Sequence, residues 1–167
     1  MNDAHLHMVV NHFPIIGTIF GLGILIVGLL LNNKAIKNVA YSLFIVAALF
    51  AFFCMNTGEG AEEMVEDMPS VGKNIIHEHE EIAEKFALVL YLLGAVSIAG
   101  MYLNFKNHSK AKLVSFLAIT IAVVGVFLAQ QVGTSGGEVR HTEIRANAVT
   151  GSEQNATTSE AGEENED

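Results

Sequence analysis

Apolar and polar positions in this chain are segregated on the scale of whole helices. Four stretches carry no Asp, Glu, Lys or Arg: the run between Asp3 and Lys34, then Asn38 to Gly58, Phe86 to Phe105, and Leu113 to Gly137. Each is at least about 20 residues long, and a helix of that length crosses a hydrocarbon core of roughly 30 Å. The pattern predicts spans over about 13–31, 36–56, 84–105 and 111–132. With connections this short, the expected fold is all-α: an integral-membrane antiparallel four-helix bundle, up-down-up-down, occupying residues 1–145. The remaining stretch, 146–167, is acidic, small and polar with nothing to bury, and is expected to be a disordered tail.

Local signals refine the spans. The opening MNDAHLHM has no basic residue ahead of its apolar run, so a retained helix is expected rather than a cleaved leader. That helix should cover about 8–31, starting or kinking at Pro14. Gly17, Gly21 and Gly28 share one side of it and allow a close neighbour, within the bundle or in a second copy as a helix-mediated homodimer. Span two should stop at Thr57-Gly58-Glu59-Gly60, followed by a short acidic helix closed by Pro69, and span four should break at Gly133, Gly136 and Gly137. Ser70 to Phe105 reads as one long helix. In it Ile75, His79, Ile82, Phe86, Val89 and Leu93 fall on one face, whereas His77 falls with Glu80, Glu81 and Glu84 on a solvated side.

Composition and charge then set the surroundings. Of the 167 residues, 51% are hydrophobic and 16% charged, well below the quarter or so usual for soluble domains. The two short loops carry five lysines, Lys34, Lys37, Lys106, Lys110 and Lys112, and no acid; all 18 acids lie on the other side. The positive-inside rule predicts cytoplasmic lysine loops in an inner, multi-pass membrane setting, with both termini and the 59–84 connection periplasmic. The net charge of −9, almost wholly on the outer face, argues against nucleic acid and favours a cationic partner or a metal ion, beside the lipid bilayer that the spans require. The single cysteine, Cys54, excludes an intrachain disulfide.

The chemistry available is concentrated in histidine. Six of seven lie on the outer side: His5, His7, His12, His77, His79 and His141, with only His108 inside. No ionisable residue sits at mid-membrane, which disfavours a pump or secondary transporter. There is no Ser/His/Asp pattern, HExxH, phosphate-binding glycine loop or CxxC, so an enzyme is the least supported class. Polar residues at helix ends are cheap in themselves. His79 on an apolar stripe and His12 within VVNHFPII go further, because neutral imidazoles from different helices are suited to metal or haem.

His7-Met8-Val9-Val10-Asn11-His12-Phe13-Pro14-Ile15 resembles the opening motif of a bacterial four-helix membrane domain family of unknown function, a His followed five positions later by His-Phe-Pro-Ile. The resemblance extends through Thr57 to Glu63, His79-Glu80 and Gly136 to His141, with Met8 standing where Pro is usual. Members occur fused to Rieske or cytochrome c modules, which implies a redox setting and a periplasmic redox partner of either type. The family's histidines fall on His7, His12, His79 and His141.

Three readings follow. The first is a small b-type cytochrome-like protein for electron transfer, holding one haem b at the extracytoplasmic end, with His12 and His79 as axial ligands and His7 or His141 supporting. The second is a Zn, Cu or Fe ion held by His7, His12, His79, His141 and the carboxylates Glu59, Glu63 or Glu80. The third is a structural or assembly subunit without cofactor.

Overall fold

The computed structural model of the chain describes residues 2–66 and 71–145. Among them all regular structure is helical: α1 (Asp3–Val10), α2 (His12–Leu30), α3 (Lys34–Val65), α4 (Lys73–Phe105) and α5 (Ala111–Arg140), then one 3-10 turn at Thr142–Ile144. Four segments are long and apolar enough to cross a membrane: Asp3–Leu30, Lys34–Val65, Lys73–Phe105 and Ala111–Arg140. This is the all-α, four-span fold that the charge-free runs predict. The Pro69 stop and the disordered tail at 146–167 lie outside the described residues.

α3 packs between α2 and α4, and α5 packs against α4 and α2, closing a ring of four. Neighbours run antiparallel, as three contacts show. Phe13 near the start of α2 stacks on Phe50 in the second half of α3, centroids 4.3 Å apart. Asn104 at the end of α4 donates to Asn38 at the start of α3 at 2.9 Å. His79 near the start of α4 meets Ser135 near the end of α5 at 2.9 Å. One end of the bundle therefore carries the lysine loops, with His108, and the other carries the remaining histidines.

The packing is inside out by soluble standards. Alanines 40, 47, 51, 87, 118, 122 and 129 are buried with a few large residues such as Leu25, Tyr41, Phe44, Leu90 and Leu93. Phe20, Leu30, Phe52, Leu88, Ile98, Phe105 and Phe127 are exposed on the outside. Apolar surface on that scale needs lipid around it. Small residues inside bring the backbones close enough for dispersion forces to hold helices that gain nothing from leaving an oily solvent. The glycine face of α2 is used in this way. A Cβ at Gly17 would lie 3.1 Å from Ala47 Cβ, and one at Gly21 would lie 2.5 Å from the Phe44 ring. The neighbour left open by the sequence is α3 of the same chain, so that face is not free for a second copy.

Both lysine loops turn on an asparagine in the left-handed region, Asn32 (φ 48) and Asn107 (φ 53). In each, the next amide reaches back five residues: Asn33 N–H to the Gly28 carbonyl at 2.9 Å and His108 N–H to the Leu103 carbonyl at 3.0 Å. These crossed bonds satisfy the last carbonyls of α2 and α4 and turn the chain sharply. The Lys34 ammonium bonds the Asn107 side chain, tying one loop to the other. Deeper, Tyr41 and Ser115 share a buried hydrogen bond of 2.8 Å between α3 and α5.

Three expected boundaries are corrected. The first helix starts earlier than residue 8, with α1 at Asp3 under an Asn2 cap, and a single turn at Asn11 leads into α2. Pro14 falls in the first turn of α2, where a missing N–H costs little. α3 does not stop at Thr57-Gly58-Glu59-Gly60 but continues to Val65, and α5 does not break at Gly133, Gly136 or Gly137 but continues to Arg140. A glycine inside a helix costs about 1 kcal/mol relative to alanine. Here two of these glycines accommodate close neighbours. A Cβ at Gly60 would sit 2.5 Å from Asp3 Oδ2, and one at Gly136 would sit 3.0 Å from His79 Cε1.

Candidate functional site

α1 lies along the outer extension of α3, and this contact positions His7. His7 is half-buried, with Nδ1 3.2 Å from Thr57 Oγ1. The Thr57 hydroxyl sits 2.9 Å from the Phe53 carbonyl and 3.2 Å from the Cys54 carbonyl, so its proton is committed to the α3 backbone. Thr57 therefore accepts from His7, and the imidazole proton belongs on Nδ1.

His79, on the outer extension of α4, repeats the arrangement with α5. Its Nδ1 lies 2.9 Å from Ser135 Oγ, and that hydroxyl donates to the Val132 carbonyl at 3.3 Å. The Ser135 hydroxyl thus bridges the His79 ring and the helix carbonyl, and which atom donates in the shorter contact is set by the ring's tautomer. Both rings are tethered through Nδ1, with Nε2 outside that contact. A metal-binding histidine has this form: one nitrogen fixed by a hydrogen bond, the other a basic ligand.

Electrostatics agree with this. Both rings stand above the apolar segments 13–31 and 84–105. Burial pushes the His7 imidazole below its ordinary value, against a weaker pull from the Cys54 carbonyl. Burial lowers His79 too, and His7 adds to the effect by repelling its protonated form. The charge of His7 thus reaches His79, and burial favours the neutral form of both rings. Asn11, one helical turn below His7 on the same side, has a buried Oδ1 with no hydrogen-bond partner.

The remaining histidines go elsewhere. His12 is exposed and lines an apolar crevice of about 220 Å³ between α2 and α3, with Phe13, Ile16, Leu43 and Val46. The partner expected for His79 was His12, whereas the histidine whose charge acts on His79 is His7. Five residues turn a helix by about 140°, so His7 and His12 cannot both face inward. His77 is exposed, 3.4 Å from Glu81 and 3.9 Å from Glu80, on the solvated side read from the sequence. His141 follows the last residue of α5, exposed, with Nδ1 2.9 Å from Glu143 Oε1. His5 is exposed, and His108 accepts from the Lys110 amide at 3.1 Å inside its own loop.

Of the carboxylates, Glu59 and Glu63 are exposed. The Glu62 side chain on α3 acts on Glu80 of α4 and holds its carboxyl above its ordinary value. Among the described residues no three His, Cys, Asp or Glu side chains are gathered for a metal ion. The set His7, His12, His79, His141, Glu59, Glu63 and Glu80 is therefore dispersed, although the charge of His7 reaches His79.

The sequence reading does not single out Ser135, and takes Gly136 only as a helix break and as part of the resemblance. The signal was present: Ser115, Ala118, Ala122, Gly125 and Ala129 step by three and four along the buried face of α5 and lead on to Ser135. Compared with models of protein families, with curated proteins and with solved structures, the chain matches none.

Proposed function

We propose that this chain is a small membrane electron-transfer protein of b-type cytochrome character, in which His7 and His79 would hold one haem at the histidine end of the bundle. The observation that carries the reading is the twin tether. Two imidazoles from different helices, both biased toward the neutral form by burial, each meet through Nδ1 a hydroxyl that is itself anchored to a helix carbonyl. Two such rings are what a haem iron takes from protein, since the porphyrin supplies its other four donors. When bound, the haem supplies one-electron exchange.

Each residue then has a defined task. Thr57 and Ser135 fix the ring planes and raise the basicity of the ligating nitrogens. Partial burial keeps water and protons from competing for those nitrogens. Gly136 leaves His79 the space its ring needs. The Asn11 Oδ1 offers an acceptor one turn deeper. The lysine-rich loops favour an inner-membrane orientation with both termini and the histidine end periplasmic, where a cytochrome c or Rieske-type partner could exchange electrons.

The test is an absorption spectrum of the purified full-length protein, oxidised and reduced, with a pyridine haemochrome assay and elemental analysis. One haem per chain is expected. A stoichiometric transition metal without haem would replace this reading with a small metal centre on the same pair. Absence of both would leave the assembly subunit.

A further inference from the structure

The apolar crevice of about 220 Å³ between α2 and α3 opens on the lipid-facing side of the bundle. Phe13, Ile16 and Val46 line it and are exposed, so entry is from the bilayer. Gly17 and Ala47 line it at depth, where a Cβ on the glycine would stand 3.1 Å from Ala47 Cβ, so the two helices touch and close it from behind. Phe13 stacks on Phe50 with centroids 4.3 Å apart, which fixes an aromatic ring at one wall. His12 is the only polar side chain of the lining. It begins α2, just ahead of the apolar segment 13–31, and so sits at the outer boundary of the membrane. Among the described residues its ring nitrogens meet no hydrogen-bond or ion-pair partner, whereas those of His7, His77, His79, His108 and His141 do.

Acyl chains cover apolar helix surface as a matter of course, but two features favour another occupant. The first is shape. Residues 12–17 of α2 span roughly 8 Å of helix, and residues 43–47 of α3 roughly 6 Å, which is short for an extended acyl chain and suited to a single ring. The second is the polar group. An imidazole offers one nitrogen that donates and one that accepts, and an acyl chain can use neither. A quinone or quinol matches both features: a flat apolar ring for Phe13, an oxygen at the ring's edge for His12, and a prenyl tail that stays in the lipid.

We propose that this crevice binds the head ring of a membrane quinone or quinol, with His12 hydrogen-bonded to a ring oxygen. The site would give the electron-transfer reading a lipid-soluble redox partner and rests on that reading for its role, while the binding itself rests on the crevice. The test is photolabelling of the full-length protein in lipid nanodiscs with an azido derivative of decylubiquinone, mapped by peptide mass spectrometry. Labelling is expected within residues 12–17 or 43–47 and should be displaced by excess decylubiquinone but not by dodecanol, which has a tail and no ring. His12→Phe removes the hydrogen bond and Val46→Phe fills the crevice from its exposed side, and each should lower the yield about fivefold. His12 is exposed, so its replacement tests the site even where Val46→Phe fails to fold. Labelling spread evenly over the lipid-facing helix surfaces, undiminished labelling of His12→Phe, or equal displacement by dodecanol overturns the proposal, the last making the occupant an acyl chain. Because the readout is peptide mass, it is independent of the haem content that decides the electron-transfer reading.

Discussion

Gly136 of α5 lies against the imidazole of His79 on α4, so close that a methyl group there would stand 3.0 Å from Cε1 and 3.5 Å from Nδ1. The ring has little freedom to retreat, because its Nδ1 is bound to Ser135, the residue next to that glycine. Three residues earlier, Gly133 is exposed, and a methyl group would meet only Ile15 Cδ1 at 3.9 Å. Two glycines on one helix thus have opposite roles.

The first prediction exploits that contrast. Gly133→Ala should raise stability by up to about 1 kcal/mol through helix propensity alone. Gly136→Ala should lose that gain to overpacking, which typically costs about 1–3 kcal/mol, and should weaken cofactor retention. Thermal unfolding in detergent checks both. A more stable Gly136→Ala protein with unchanged spectrum would mean that the ring yields freely.

The histidines separate by position. If haem is bound, His7→Ala and His79→Ala should each abolish it. His77→Ala and His12→Ala should leave it in place, with stability changes within about 0.5 kcal/mol for these exposed sites. Loss of the Soret band on changing His12, with retention on changing His7, would reverse the assignment of the α1 ligand.

Tethering makes a finer prediction. Ser135→Ala leaves the part-buried Nδ1 of His79 without its partner, a penalty of about 1–3 kcal/mol. The expected outcome is a lower unfolding midpoint and, in the loaded protein, a shifted reduction potential with the haem still bound. A potentiometric titration that superimposes on the wild type would remove Ser135 from the site.

Acid should loosen this end of the molecule. His79 and His7 both have folded values below their ordinary one, chiefly through burial. The unfolded chain therefore binds more protons as pH falls below about 6.5. Stability contributed by the neutral pair is present above that pH and is lost as pH drops through the lowered folded values. Unfolding midpoints measured from pH 8 to 5 should decline below about 6.5, and less so in His79→Gln. A flat profile would contradict a buried neutral pair.

Orientation gives the last prediction. Five lysines without an acid in the two short loops predict that both loops face the cytoplasm. A cysteine placed at Ser109 should resist a membrane-impermeant thiol reagent in intact cells, and one at Ser152 should react. Equal labelling would invert the protein and put the His7–His79 pair in the cytoplasm.

Most of the fold was legible in the chain itself. Charge-free runs long enough to span a membrane are a one-dimensional property, so the number, rough limits and helical character of the spans follow without tertiary information. The split between His77 and His79 is of the same kind, since two residues along one helix point to nearly opposite sides and the apolar stripe of Ile82 and Phe86 says which side is inward. Tertiary packing decided what depends on a second helix. Whether Gly58, Gly60 and Gly136 end a helix or admit a neighbour is settled by Asp3, His7 and His79 lying against them, residues more than 50 positions away in each case. The choice between His7 and His12 is likewise decided across helices. Both lie in one motif, and only the rotation of α1 against Thr57 turns His7 inward and leaves His12 on the outer face, because a hydrogen-bond acceptor on another element is invisible to periodicity.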